Sequence, residues 1–109
     1  MEIYDYETAG GKNLIIDYIE SLSKPEKLEL YDIRREIREY GLDAFEKLDT
    51  RQLRGKLWEI RASQTRIMYV IIDKGGVAFL HICKKQKGKA EKQELEKAIQ
   101  RAKNEGLMQ

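Results

Sequence analysis

At 109 residues, 41% of them hydrophobic, the chain fits one compact domain over 1–109 with a core of its own and leaves no room for a second. No apolar run approaches the roughly 18 residues of a membrane span, and the opening MEIYDYETAGGK lacks the pattern of a secretion signal, so a cytoplasmic protein without a membrane partner is expected. The net charge of +2 hides an uneven distribution: residues 1–50 hold 7 Lys/Arg against 13 Asp/Glu, residues 51–109 hold 14 against 6, which suits either a polyanionic partner or a lysine-rich solubilising surface.

Met1 to Tyr6 reads as a strand, with Ile3, Tyr4 and Tyr6 suited to a pleated surface, and Gly10-Gly11 follow as a break. From Lys12, the residues Leu14, Ile15, Tyr18, Ile19 and Leu22 recur at helical spacing and predict an amphipathic helix of about three turns. Ser23-Lys-Pro-Glu26 predicts a break and a capping box, with Pro25 in a first turn whose backbone donors are unpaired in any case. Leu30, Ile33, Ile37 and Tyr40 form the apolar stripe of a second helix that Gly41 ends. Short connections make these two an antiparallel hairpin, and 42–55 reads as an irregular segment.

Three runs rich in Ile, Val, Tyr, Phe and Trp follow over 56–61, 66–73 and 77–84. Ala62-Ser-Gln-Thr65 and Lys74-Gly-Gly76 between them are turn-like, so an antiparallel meander is expected. After a basic loop to Lys89, the residues Leu95, Ala98, Ile99 and Ala102 predict a last amphipathic helix that ends near Gly106. The expected class is α+β in the order β-α-α-β-β-β-α, an antiparallel sheet with the helical hairpin on one face and a C-terminal helix.

Side chains alternate across a strand, so loop length decides which residues share a face. A four-residue loop at 62–65 opposes Arg61 to Arg66 on one face, and a two-residue second loop adds His81 and Lys85. That face also receives Leu57, Met68, Val70, Ile72, Val77, Phe79 and Cys83. The other receives Trp58, Ile60, Ile67, Tyr69, Ile71, Leu80 and Ile82, and as the more uniformly apolar set it is assigned to the hairpin, with Trp58 as a core anchor. A three-residue second loop would invert the last strand.

Two opposed arginines repel unless an anion lies between them, and a planar fork of donors suits phosphate oxygens. Lys56, Lys84, Lys85, Lys87 and Lys89 would extend such a site along an RNA backbone; alternatively Arg61 and Arg66 pair with Glu59 or with carboxylates of the acidic half. His81 is a candidate for proton transfer or a structural histidine, and Tyr69 and Cys83 fit a core better than a reaction. One cysteine and one histidine cannot build a structural zinc site, so neither metal nor cofactor is expected.

Leu-Trp-Glu-Ile-Arg (57–61), Thr-Arg-Ile-Met-Tyr (65–69), Leu80-His81, Lys84-Lys85 and the closing Glu94-Leu-Glu-Lys-Ala-Ile-Gln-Arg101 resemble the phage-derived branch of the HigB/RelE toxins, over about the last half of the chain. The resemblance implies a RelE-like fold and the toxin of a toxin-antitoxin pair: an endoribonuclease that cuts mRNA on the ribosome and is silenced by a small helix-turn-helix antitoxin. It implies phosphate binding and transition-state stabilisation by Arg61 and Arg66, and RNA contacts with catalytic weight at Lys84 and Lys85. Its chemistry needs no metal, because RNA supplies the 2′-hydroxyl as nucleophile. The chain departs from the pattern at Gly88-Lys-Ala-Glu91, where relatives carry Thr-Pro, and has no tyrosine near its C-terminus. A non-catalytic RNA- or ribosome-binding module and a protein-interaction domain are the competing expectations.

Overall fold

The computed structural model describes all 109 residues. In chain order they form β1 (Glu2–Asp5), α1 (Leu14–Glu20), α2 (Lys24–Tyr40), α3 (Leu42–Lys47), β2 (Thr50–Arg54), β3 (Leu57–Ala62), β4 (Thr65–Asp73), β5 (Gly76–Lys84) and α4 (Gly88–Asn104). The strands make one sheet in the order β1-β5-β4-β3-β2. Every pairing is antiparallel except that of β1 with β5, so the sheet is mixed, where an antiparallel one was expected. A parallel neighbour requires a long crossover, and everything from α1 to β4 provides it.

The segment expected to be irregular holds α3 and β2 instead. Short as it is, α3 buries Ala44 and sets Phe45 against Tyr69, ring centroids 5.0 Å apart. β2 is an edge strand in which Arg51, Gln52 and Arg54 are all exposed, so no apolar alternation announces it.

Two apolar layers enclose the sheet. On one face Ile15 and Ile19 of α1 and Leu30 and Ile37 of α2 pack with Ile60, Ile67, Tyr69, Val77, Phe79 and Ile82. On the other, Ala98, Ile99 and Ala102 of α4 lie on Leu57, Met68, Val70, Ala78 and Leu80. Each large side chain buried this way is worth about 1.5–3 kcal/mol. The arginine face is therefore roofed by α4 over its apolar part.

Two bulges govern which residues meet each layer. The last hairpin turns on Lys74-Gly75, with Asp73 opposite Gly76, but Ile72 is then an extra residue in β4 and Ile71 faces Val77. Leu80 is an extra residue in β5, where Tyr69 faces Phe79 but Met68 faces His81. The second bulge cancels the first. His81 and Cys83 therefore stand beside Arg66 as a two-residue loop requires, whereas Val77 and Phe79 join the hairpin layer and Leu80 the α4 layer, the reverse of the expected assignment.

Trp58 is also corrected. It occupies the hairpin face next to β2 but is 37% exposed, because α1 and α2 lie mainly over β1 and β5 and meet β3 only at Ile60 and Ala62. The capping box does not close: the Ser23 hydroxyl donates to the Glu26 carboxylate at 2.6 Å instead of capping a backbone N–H. Asn13 caps α1, accepting from the Ile16 N–H at 2.9 Å.

Candidate nucleic-acid interface

The first hairpin turns on Ser63 and Gln64 alone, since Ala62 and Thr65 still pair, and the even loop length keeps Arg61 directly opposite Arg66. The two guanidinium groups nevertheless turn apart. Arg66 swings toward Glu59, whose carboxylate lies 3.4 Å from its Nε, while its Nη1 donates to the carbonyls of Ser63 and Thr65, each at 3.0 Å. Arg61 donates from Nε and Nη2 to Asp49 at 3.2 and 2.7 Å. The latter is a surface ion pair, with Asp49 62% exposed, worth at most about 1 kcal/mol and readily exchanged for another anion.

Glu59 is the centre of the constellation. It is 2% exposed and is approached from its other side by Arg51 of β2, which donates from Nε at 3.1 Å and Nη2 at 2.7 Å. A buried carboxylate needs such partners to offset its desolvation. The consequence is two guanidinium groups held side by side by one anion. Arg66 keeps its Nη2 and Arg51 its Nη1 without a hydrogen-bond partner in the chain, and both residues line a cleft of about 170 Å³ between the sheet and the start of α4. Cys83, Lys84, Lys92 and Glu94 line it too.

Lys84, Lys85, Lys87 and Lys89 are exposed along the segment from β5 into α4, and the Lys85 N–H donates to the Gln64 carbonyl, placing Lys85 beside the Ser63-Gln64 turn. Lys56 is elsewhere. It precedes β3 at the end opposite Arg61, about 17 Å away at the rise of a strand, and lies against the C-terminal residues.

His81 is buried and both its ring nitrogens are engaged. Arg101 of α4 donates from Nη1 to the Leu80 carbonyl at 3.0 Å and to His81 Nδ1 at 2.9 Å, and packs over the Tyr6 ring at 4.8 Å. A guanidinium can only donate, so Nδ1 accepts, the ring is neutral, and Nε2–H is given to Glu94. Burial pushes the ring below its ordinary pKa; Glu94 pulls it up and Arg101 with Lys97 pulls it down, and the lowering prevails. Burial likewise drives the Cys83 thiol up to about 12, with Glu94 adding to the rise, so the thiol is not a nucleophile near neutrality. Tyr69 is raised to about 12 by burial and belongs to the core.

His81, Cys83 and Glu94 present ligand atoms within 4.8 Å of one another, which is metal-like spacing. The tautomer speaks against that use. A metal on Nε2 would move the ring hydrogen to Nδ1, where it would face the Arg101 donor, whereas a metal-bound histidine normally gives that hydrogen to an acceptor.

Arg51 and Glu94 are the two site residues that the sequence reading passed over. Arg51 has no local signal, since its strand shows none. Glu94 has one: with Ala98 and Arg101 it recurs at i, i+4 and i+7, placing a carboxylate and a guanidinium on the buried stripe of an amphipathic helix.

The fold and the cleft together define a small α+β domain with a cationic seat at one end of its sheet. Residues 17–103 match the family described as phage derived protein Gp49-like (DUF891), and the chain belongs to that family, which is of the RelE/HigB toxin type. No curated protein matches the chain.

Proposed function

We propose that the protein is the toxin of a toxin-antitoxin pair and an endoribonuclease that cuts mRNA on the ribosome. The observation that carries this reading is the pair Arg51 and Arg66, fixed on one carboxylate, Glu59, and both lining one cleft, beside the exposed run Lys84, Lys85, Lys87 and Lys89. A phosphodiester seated there meets preorganised donors, which favours the extra negative charge of a pentavalent transition state. Arg61 releases its exposed Asp49 pair to hold a neighbouring phosphate. The lysines track the backbone on either side, contributing affinity without base recognition. Family membership of toxin type points the same way. A small helix-turn-helix antitoxin is the proposed partner, and the adjoining reading frame is where to look for it.

The test is induced expression with transcript ends mapped by primer extension. Wild-type protein is expected to arrest growth and leave new ends within translated messages. Arg66→Lys keeps the charge that Glu59 needs but loses the fork, and is expected to cut at least tenfold more slowly while still folding. Normal growth with abundant folded wild-type protein and unchanged transcript ends would overturn the reading; RNA binding without new ends would leave a non-catalytic binding module.

A further inference from the structure

An enzyme that uses the 2′-hydroxyl of RNA needs a group to take its proton. Resting on the nuclease reading above, we propose that this acceptor is the carboxylate of Glu94, and that His81 and Arg101 are positioning residues that aim it into the cleft.

His81 itself has no free nitrogen to take that proton. Its Nδ1 accepts from Arg101 and its Nε2–H is given to Glu94, so no ring nitrogen is left for a substrate. Arg101 is itself anchored to the backbone at the Leu80 carbonyl, one residue along, where the bulge turns that carbonyl toward α4. Bulge, guanidinium, imidazole and carboxylate thus form one chain of hydrogen bonds that ends on Glu94.

Of the acidic groups lining the cleft, Glu94 alone has the right setting. Glu59 is enclosed by two arginines and serves as their counter-ion. Glu91 is half exposed at 52% and lies 3.6 Å from Arg51, in solvent rather than in the cleft's interior. Glu94 is 20% exposed, sharing one oxygen with His81 and placing the other 3.6 Å from Lys97. Burial raises its carboxyl, but the hydrogen bond from His81, with Lys97 and Cys83 beside it, outweighs this and leaves it below the ordinary range, ionised at neutral pH. The charged and titratable groups near it are His81 and Cys83 from β5, Tyr18 from α1 and Lys97 from its own helix, with Glu59, Arg66, Arg51, Lys84, Glu91 and Lys92 elsewhere along the cleft.

The step balances without a further reagent. The 2′-oxygen gives its proton to Glu94 and attacks phosphorus, the P–O5′ bond breaks, and the 5′-oxygen leaves with the electron pair and takes a proton from water at the cleft mouth. The products are a 2′,3′-cyclic phosphate and a 5′-hydroxyl, and Glu94 returns its proton to solvent.

Single-turnover cleavage of ribosome-bound mRNA by the purified full chain tests this. Glu94→Gln is expected to lose at least about 100-fold in the cleavage rate with RNA affinity unchanged. Should that variant fail to fold, Glu94→Asp, which keeps the charge but draws the carboxylate back, is expected to lose at least tenfold. His81→Ala is expected to move the acid limb of the rate profile to higher pH, because the carboxylate loses its donor; a purely structural role would lower the rate evenly at all pH values. A Glu94→Gln rate within threefold of wild type, an unimpaired Glu94→Asp, or an unmoved limb in His81→Ala overturns the inference. If wild type cuts and Arg66→Lys is impaired, the nuclease reading survives that failure; if wild type does not cut, both fall.

Discussion

Asp5 and Arg34 show how a charge is kept inside this small domain. Their side chains are 8% and 4% exposed, and Arg34 donates from Nη1 and Nη2 to the two carboxylate oxygens, each at 2.8 Å. Asn13 adds a third donor at 3.1 Å, and the guanidinium lies 5.6 Å from the centre of the Phe79 ring. The pair ties β1 to α2. Asp5→Ala would strand a buried cation and is expected to cost about 3–5 kcal/mol in urea unfolding. His81 makes a prediction of opposite character. Its folded pKa lies below the unfolded value, so the unfolded chain binds the proton more readily; its contribution to stability is complete above about pH 6.5 and is lost as pH falls toward the folded value. The melting temperature should therefore drop between pH 7.5 and 5.5, and His81→Gln, which does not titrate, should flatten that slope. An equal slope in the variant would mean that another group is responsible.

At the scale of elements, α4 depends on small residues. Ala98 and Ala102 are fully buried, letting the helix axis lie close to Leu57, Val70 and Leu80. Ala98→Leu is expected to cost about 1–3 kcal/mol in thermal or urea unfolding by overpacking this seam. Because Glu94 and Arg101 ride on the same helix, it should also weaken the hydrogen bonds at His81. The same elements show what could be read in advance. The hairpin helices, β3 to β5 and α4 all carry apolar periodicity, and Arg61 opposite Arg66 follows from an even loop. β2 could not be read, since an edge strand of exposed polar residues has no period to detect. Nor could the bulges at Ile72 and Leu80, which send Val77, Phe79 and Leu80 to faces that plain alternation denies. In the site, the Glu59 partnership was foreseen as an alternative for Arg66. Arg51 was hidden with its strand, and the direction in which a guanidinium turns is a tertiary fact.

Over the whole molecule, the asymmetry of charge along the chain becomes a division of labour. The acidic first half supplies β1 and the helical layer, and the basic second half supplies nearly all of β2, then β3 to β5, α4 and every residue that lines the cleft. Single-stranded RNA seated with one phosphate on Arg51 and Arg66, the next on Arg61 and a third on Lys84 should release counterions with a slope of about −2 in log affinity against log salt. A titration by fluorescence anisotropy gives that slope directly, and a value near zero would remove these contacts from the interface.

The parallel pairing of β1 with β5 has a bearing on synthesis. Ile3 finds its neighbour in Val77, so the first strand to leave the ribosome must wait for the last before it is held on its sheet side. Until then the Asp5–Arg34 pair has no Phe79 beneath it and the hairpin layer no surface to cover. Loop closure over so long a stretch is slow compared with forming local helices, so the domain matures only once β5 has been made. Nascent chains stalled before β5 should accordingly be cut by protease throughout, and those stalled beyond α4 should resist.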